Sequence, residues 1–530
     1  MTILWATTDT TESTSALEKM TVKKLINIHD KAREEEFSKR AEDWRNGPVV
    51  YQVLLDRFAP SRNLESKKHL YKEPQKLRTW DETPKRGEYL KEAGVWSHEV
   101  DFWGGDIDSL SEKLDYLKAL KIDALYLNPI FLSLTNHKYD AWDYSQVDPV
   151  YGTREDLGKL SENLHRQGIR LILDGVFNHM GKQSPFFQEA IADEKSPWRK
   201  FFTFSNKSPR GYISWLDVEN LPELNLENPA VRDYLYAKPD SIVQSYLRKE
   251  KIDGWRLDVA YDLGFKYLED LTEFAHEANP ESVIIGEIWS YPEEWHPAVD
   301  GVMNMHGRRT ILSMLEGKIS APICGKMWET AIEDAGMDHI LKTWLLLDNH
   351  DTARLTNILS EPWQQKMARI LQFTFPGAVC LYYGSELGMT GGIDPEQRAP
   401  MRWDLVNSEN EILKLHKKLL SIRKNEPALR YGDFRLLHTE KLLAFMRKTI
   451  SVRDTILVLA NPTDKKVEEM IQLRESKFQD SSVLFDLFSD AKFNVHTGFI
   501  HAEVPPQTIM VLKVDTADHP MGYNRYSRIY

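Results

Sequence analysis

Three acidic residues each end a short apolar run in the middle of the chain. Asp258 follows WRL, Glu287 follows VIIG, and Asp351 closes LLLDNHD. A buried charge costs several kcal/mol unless it is paired or has a functional role. Any one of the three acids could therefore belong to a structural ion pair or cap the N-terminus of a helix. If the three runs are strands of one sheet, the acids meet at one edge, and that convergence favours chemistry over a purely structural role.

Two carboxyls that face one bond are what the hydrolysis of a glycosidic bond requires. One donates a proton to the leaving oxygen, and the other, ionised, attacks the anomeric carbon. Arg256 lies two residues before Asp258, on the same face of a strand, so its cation should hold Asp258 ionised as the nucleophile. Glu287 stands between Ile285 and Trp289 on its own face, an apolar setting that would keep a proton on its carboxyl.

Histidines and aromatic residues lie close to several of the same run ends. Sugars pack their C–H faces on aromatic rings, and their hydroxyls need planar donors and acceptors. His179 and His350 are candidates for the polar contacts, although a single histidine in such a place is more often structural. The aromatic candidates are Tyr139, Trp142, Trp289 and Tyr383, and with 15 tryptophans in the chain any one of them could equally belong to the core.

The acids belong to a longer alternation of apolar runs and amphipathic stretches, which is the pattern of parallel βαβ units. The runs are VVYQVLLDRF from Val49, ALYLNPI from Ala124, IRLILDGV from Ile169, GWRLDVA from Gly254, VIIGEIW from Val283, DGVMNM from Asp300, TWLLLDNHD from Thr343 and AVCLYYG from Ala378. Eight runs predict an α/β fold, a (β/α)8 TIM barrel whose active site lies at the C-terminal ends of its strands. A doubly wound open sheet is the alternative, but no G-x-G-x-x-G turn follows the first run.

Changes of pattern along the chain predict four regions. Residues 1–48 are charged and helix-favouring, as in a helical arm, and residues 49–430 form the catalytic barrel. A long connection rich in aromatic residues predicts an inserted subdomain at about 178–228, after the third strand. Residues 431–515 contain FRLLHTE, KLLAFMRKT, DTILVLANPT, VLFDLFS and TIMVLKV, which predict a C-terminal antiparallel β-sandwich, and 516–530 form a tail.

The composition narrows the choice of partners and location. A net charge of −12 argues against nucleic acid and anionic membranes, which bind clusters of Lys and Arg, and favours a neutral substrate. We find no secretory signal pattern and no run of the ~20 apolar residues that a membrane span requires. Cys324 and Cys380 predict buried thiols and a cytoplasmic protein. The oligomeric state is left open.

Four segments, in order along the chain, resemble the conserved regions of glycoside hydrolase family 13, the α-amylase family. They are DGVFNH from Asp174, GWRLDVA from Gly254, IIGEIW from Ile284 and LLLDNHD from Leu345, and the likeness extends from about Val49 to Val514. The resemblance implies that Asp258 is the nucleophile and Glu287 the proton donor. It implies that Asp351 binds hydroxyls of the distorted sugar at subsite −1.

The resemblance also implies a set of sugar-binding residues. In NHKYDAWDY, Tyr139 would stack under the −1 sugar, and in GGIDPEQR, Asp394 and Arg398 would lie at the −2 side. The full set is His137, Tyr139, Asp140, His179, Arg256, Trp289, His350, Asp394 and Arg398. The stretch DRFAP lacks the Asn and Asp cluster of a calcium site, so we expect no required cofactor, with Asn178 left open as a calcium ligand.

Within the family, YQVLLDRF, NHKYDAWDY and DGVMNM resemble the neopullulanase, cyclomaltodextrinase and maltogenic amylase group. That group usually carries a β-rich starch-binding module before the barrel, for which the residues before Val49 are too few. The resemblance implies retaining hydrolysis of α-1,4 linkages, with α-1,6 linkages left open, in maltooligosaccharides, cyclodextrins or related α-glucans.

Two alternatives share the same motifs. A transglycosylase or phosphorylase would use the same covalent intermediate, and Tyr261, near the acceptor, could favour it by excluding water. A non-catalytic sugar-binding relative would be expected to lack one of the acids, and none is missing.

Overall fold

The computed structural model describes residues 28–517 together with Tyr526 and Ile529. Most of the predicted arm, residues 1–27, and most of the predicted tail lie outside these ranges. The main helices are α1 (Ile28–Glu42), α2 (Leu114–Ala119), α3 (Arg154–His165), α4 (Pro185–Ala192), α5 (Phe265–Ala278), α6 (Met305–Leu315), α7 (Ala321–Ala335), α8 (Pro362–Thr374) and α9 (Glu411–Asn425). None of the helices within the described ranges combines the length and apolar character needed to cross a membrane.

Eight parallel strands form a closed barrel, as predicted. They are β1 (Val49–Val53), β2 (Ala124–Leu127), β3 (Arg170–Gly175), β4 (Gly254–Leu257), β5 (Val283–Gly286), β6 (Gly301–Val302), β7 (Trp344–Leu345) and β8 (Ala378–Tyr382). The hydrogen-bonded order is β6-β5-β4-β3-β2-β1-β8-β7. A parallel bridge between Met303 and Trp344 joins the two ends of this sheet. The (β/α)8 barrel is therefore confirmed.

Burial on both faces explains why the strands read as continuous apolar runs. One set of side chains fills the barrel interior, and it includes Val50, Tyr126, Ile172, Ile285 and Trp344. The alternate set packs outward beneath the helices, as Tyr51, Leu125 and Leu173 do. Neither face meets water, so the alternation of polar and apolar residues typical of a surface strand is missing.

Two long connections rise above the barrel. The connection after β3, residues 176–253, carries α4 and a loop tied by bridges such as Phe202 with Leu224. The connection after β1, residues 54–123, was not predicted as an insertion. Within it, the buried Asp56 carboxylate closes the segment from residue 56 to residue 104 by accepting hydrogen bonds from the backbone N–H groups of Trp103 at 3.0 Å and Gly104 at 2.9 Å.

The C-terminal region is an antiparallel sandwich with more strands than we predicted. Its strands are β9 (Asp433–Leu436), β10 (Leu443–Lys448), β11 (Ile456–Asn461), β12 (Val467–Gln472), β13 (Val483–Asp486), β14 (Lys492–Asn494), β15 (Phe499–Val504) and β16 (Thr508–Val514). A six-stranded sheet has the order β9-β10-β11-β16-β13-β14, and β12 pairs with β15. The unpredicted strands β12, β14 and β15 all carry exposed side chains, which lie among buried ones in β12 and β15, so none of the three is a continuous buried apolar run.

Helix α1 joins the sandwich to the end of the barrel opposite the acids. Arg40 on α1 is buried and pairs with Asp338 at 2.6 Å and with Asp433 on β9 at 2.8 Å. The two cysteines, Cys324 and Cys380, are buried and unpaired, as predicted, and burial raises the pKa of both thiols to about 12.

We predict that Arg423→Met lowers the free energy of unfolding by about 3 kcal/mol, because buried carbonyl groups lose their donor. Arg423 on α9 is 1% exposed and donates to the carbonyls of Phe373 at 2.8 Å, Gly47 at 3.1 Å and Gly377. Denaturation in urea measures the change. Lys424→Met removes the same charge from an exposed neighbour and should change stability by less than about 0.5 kcal/mol. Equal losses in both variants would contradict the prediction.

Candidate active site

The barrel brings the three predicted acids to one pocket of about 670 Å³. Asp258 is the first residue after β4 and Glu287 the first after β5. The two strands pair with Leu257 opposite Gly286, so both acids leave the sheet at the same level. Asp351 follows β7, and its side chain lines the same pocket.

One arginine lies between the acids. Arg256 on β4 is fully buried, and its Nη1 lies 2.9 Å from Asp174 Oδ1 and 2.8 Å from Asp258 Oδ1. Its Nη2 lies 2.8 Å from Glu287 Oε2. Asp174 faces Arg256 from the adjacent strand β3, in register. Three carboxylates thus share one guanidinium, whose planar fork suits such simultaneous contacts.

The protonation of Asp258 depends on more than Arg256. Burial and the neighbouring Glu287 and Asp174 carboxylates raise the pKa of Asp258 well above its ordinary value, and the Arg256 cation only partly opposes this. The sequence predicted that the Arg256 cation holds Asp258 ionised, but Arg256 alone does not determine the protonation of Asp258. One cation cannot neutralise three carboxylates. A proton bound to one of the three therefore relieves the repulsion among them.

The surroundings of Glu287 are polar, and the apolar setting that we predicted was wrong. Glu287 Oε1 accepts a hydrogen bond from Trp289 Nε1 at 2.8 Å, and Oε2 accepts one from the Val259 N–H at 3.0 Å. Val259 adopts a left-handed backbone conformation, with φ of 47°. Such a conformation costs a β-branched residue about 1–3 kcal/mol, so the surrounding fold must impose it.

Tyr139 is held in place by a network that reaches the pocket floor. Its hydroxyl donates to Asp174 Oδ2 at 2.9 Å and lies 2.5 Å from His350 Nε2, and its ring stacks parallel to the imidazole at 5.3 Å. The Gln52 amide donates to His350 Nδ1 at 2.8 Å, which leaves the proton on Nε2, 3.1 Å from Asp351. Burial, with the cation of Arg256, lowers the pKa of His350 well below its ordinary value, so its ring is neutral.

A second charged group extends from Asp351. Arg398 lies 3.4 Å from Asp351 Oδ1 and 3.0 Å from Asp394 Oδ1, and it donates to the His350 carbonyl at 2.9 Å. His98 Nε2 lies 3.1 Å from the other oxygen of Asp394. Burial acts to raise the pKa of Asp394, but the hydrogen bond from His98 and the Arg398 cation outweigh it and hold that pKa well below its ordinary value.

Most of the predicted site residues meet in the pocket. Its lining includes Asp258, Glu287, Asp351, His137, Tyr139, Asp140, His179, Trp289, Asp394 and Arg398. Arg256 and His350 lie beneath it, in contact with residues of the lining. Asp140 is buried and accepts hydrogen bonds from Thr135 and Asn220, so its carboxylate is engaged within the protein.

Two aromatic candidates do not reach the pocket. Tyr383 is buried and donates to the Ala399 carbonyl at 2.7 Å, so it is a core residue. Trp142 lines a separate surface groove.

Sequence reasoning missed the residues that the long connections add to the pocket. The connection after β1 contributes Tyr89, Trp96 and Glu99, and the connection after β3 contributes Arg210 and Trp215. The length of the connection after β1 was the signal in the sequence that could have identified it as part of the site, because residues 54–123 far exceed a usual βα connection.

No group of three or more His, Cys, Asp or Glu side chains is arranged to hold a metal ion in the part of the chain that the structure describes. The amide nitrogen of Asn178, the residue left open as a calcium ligand, lies 3.3 Å from His179 Nδ1.

A family model described as the catalytic domain of alpha-amylase matches residues 52–408. The chain belongs to the α-amylase family. It is therefore a glycoside hydrolase, and the four motifs of the family lie within the matched residues.

Curated relatives and solved structures agree with this assignment. The chain is 32% identical to the cyclomaltodextrinase of Thermoanaerobacter pseudethanolicus, over 82% of this chain and 75% of that one. It is 31% identical to neopullulanase 2 of Thermoactinomyces vulgaris, over 82% and 72%. The crystal structure of Ttha1563 from Thermus thermophilus superposes with a TM-score of 0.76 at 29% identity, over 89% of this chain and 99% of that one. The cyclic alpha-maltosyl-(1→6)-maltose hydrolase of Arthrobacter globiformis does so with a TM-score of 0.73 at 25% identity, over 89% and 99%.

We predict that His179 makes the stability of this family member depend on pH. His179 is 1% exposed, and burial lowers its pKa to about 4, below the ordinary 6.5. The unfolded chain therefore takes up a proton between these values that the folded chain does not, so stability is full above about pH 6.5 and is lost as the pH falls toward 4. We call the difference in free energy of unfolding between the wild type and His179→Asn the stability deficit. This deficit should be smaller at pH 4.5 than at pH 7 by about 2–3 kcal/mol.

Thermal or urea unfolding at both pH values measures this deficit. His501→Asn removes an exposed imidazole from the sandwich and is the control for the substitution itself. A deficit at His179 that did not vary with pH would contradict the prediction.

Proposed function

We propose that this chain hydrolyses α-1,4 glucosidic bonds in short maltooligosaccharides and related α-glucans, cyclodextrins included, by a retaining double displacement. The observation that carries the proposal is the placement of Asp258 and Glu287 at the ends of adjacent strands, bridged by Arg256, with Asp351 lining the same pocket. A single guanidinium that contacts both acids keeps them close together, as the retaining mechanism needs.

In this proposal, the proton that the group of acids binds lies on Glu287, and Asp258 attacks the anomeric carbon as a carboxylate. Arg256 binds its Oδ1, which leaves Oδ2 for the new bond to the sugar. Glu287 gives its proton to the glycosidic oxygen, so the leaving sugar departs neutral. The Arg256 cation and the N–H donors of Val259 and Trp289 then stabilise the Glu287 carboxylate that remains. Glu287 next takes a proton from water, which releases the sugar from Asp258.

The surrounding groups suit an uncharged, hydroxyl-rich substrate. Asp351 and Asp394 offer carboxylate oxygens, and Arg398 offers N–H donors, in a pocket that also presents the rings of Tyr139 and Trp289. Sugar hydroxyls satisfy both kinds of polar group, and their C–H faces pack on the rings. The names of relatives, a cyclomaltodextrinase and a neopullulanase among them, support an α-glucan as substrate.

Transfer to a second sugar is the competing candidate. Tyr261 lies on the pocket and is 40% exposed, so its ring is accessible to an acceptor sugar that would displace water. Cleavage of α-1,6 linkages is a further extension, supported by a structural relative named as a hydrolase of cyclic alpha-maltosyl-(1→6)-maltose. A location inside the cell is also part of the proposal, supported by a Bacillus subtilis relative named intracellular maltogenic amylase.

We predict that Asp258→Asn lowers kcat/KM on maltotriose by about a thousandfold or more, because the amide cannot attack the anomeric carbon. The substitution keeps the size of the side chain, and circular dichroism checks the fold. Glu269→Gln makes the same acid-to-amide change on the exposed face of α5 and should leave the rate unchanged. Retention of most of the rate by Asp258→Asn would rule out the proposed nucleophile.

We also predict that the newly formed reducing end is the α-anomer, because two displacements at one carbon restore its configuration. Proton NMR within the first minutes, before mutarotation, detects the anomer. An initial β-anomer would exclude the double displacement. The same reaction with added maltose separates hydrolysis from transfer, since dominant transfer products at low substrate concentration would favour the transferase.

A further inference from the structure

The connection after β1 forms one side of the pocket. Its short antiparallel hairpin pairs Tyr89–Leu90 with Val95–Trp96. The rings of Tyr89 and Trp96 meet edge to face at 5.6 Å, and they are 43% and 38% exposed. We call the pocket-lining residues of this segment, Tyr89, Gly94, Val95, Trp96 and Glu99, the end wall.

The end wall is tied to the floor of the site. Glu99 Oε2 accepts a hydrogen bond from the Trp96 N–H at 2.5 Å, and Oε1 lies 3.4 Å from His137 Nε2. The adjacent His98 contacts Asp394 at 3.1 Å. Two consecutive residues thus connect the hairpin to two polar side chains of the pocket. These contacts set the position of the hairpin with respect to the acids.

The chemistry of the acids gives the pocket a direction. The proton donor must reach the glycosidic oxygen, so the leaving part of the substrate lies on the side of Glu287, with Trp289 and Tyr261. The sugar that Asp258 attacks, and any sugar before it, must extend the other way. Asp351, Arg398 and Asp394 form a continuous series of contacts. Asp394 and Arg398 follow β8 and the end wall follows β1, which in the closed barrel lies opposite β5, the strand that Glu287 follows. His98 joins this series to the end wall.

We propose that the end wall closes the donor side of the pocket, so that the enzyme binds the free non-reducing end of a linear α-glucan and cleaves from that end. This inference rests on the proposed function. The rings of Trp96 and Tyr89 pack against the terminal sugar, and products of one short, fixed length leave from that end. A cyclic glucan has no end, and its continuing chain meets the end wall. Linear substrates are therefore preferred over rings of the same number of sugars.

Two substrate pairs test the end wall. The first is maltoheptaose against β-cyclodextrin, and the second is a maltoheptaoside with a free non-reducing end against one blocked at that end by an acetal. The wild type should cleave the first member of each pair about tenfold faster or more, since an excluded group is discriminated by at least this factor. The double variant with Tyr89→Ala and Trp96→Ala should bring both ratios close to one and broaden the lengths of the products.

A matched variant controls for damage to the hairpin. Leu90→Ala lies in the same hairpin but lines only the groove on its outer side, so both ratios should keep their wild-type values. Equal rates on the two members of each pair in the wild type would overturn the inference, and so would ratios that the folded double variant leaves unchanged. If the double variant does not fold, the wild-type ratios still decide. A lack of cleavage of every linear and cyclic substrate would instead refute the proposed function.

Discussion

The site depends on one shared cation. Four ionisable groups, Arg256 and the three acids Asp174, Asp258 and Glu287, lie inside a barrel where each alone would carry a large desolvation cost. Their mutual contacts offset this cost only if the strands β3, β4 and β5 keep their register. The closed barrel provides that constraint, because a shift of one residue would turn Arg256 from the interior to the helices.

From this cation a polar network passes to the pocket floor. Asp174 receives the Tyr139 hydroxyl, which meets the neutral ring of His350, and that ring lies beside Asp351. The proposed sugar-binding groups are therefore positioned by the same interaction that bridges the proposed nucleophile and proton donor. A buried network of this kind is satisfied as a unit, so it specifies one arrangement of the site.

The barrel supplies chemistry, and the long connections give the pocket its shape. Both connections that line the pocket leave the C-terminal ends of strands, where a TIM barrel varies most freely. The connection after β1 is fastened at its base by Asp56 and, just after the hairpin, by His98 and Glu99. Such fastening makes the loop a defined wall that is joined to the same polar groups that surround the acids.

The sequence alone determined the eight strands and the convergence of the acids, because buried parallel strands read as apolar runs and polar residues at their ends stand out. The tertiary structure alone decided the polar surroundings of Glu287, the sharing of Arg256 and the end wall. Each of these joins segments distant along the chain or, as at Val259, uses a backbone conformation that the neighbouring elements impose. Periodicity reports which face of an element is buried, whereas the path of a long connection depends on what it packs against.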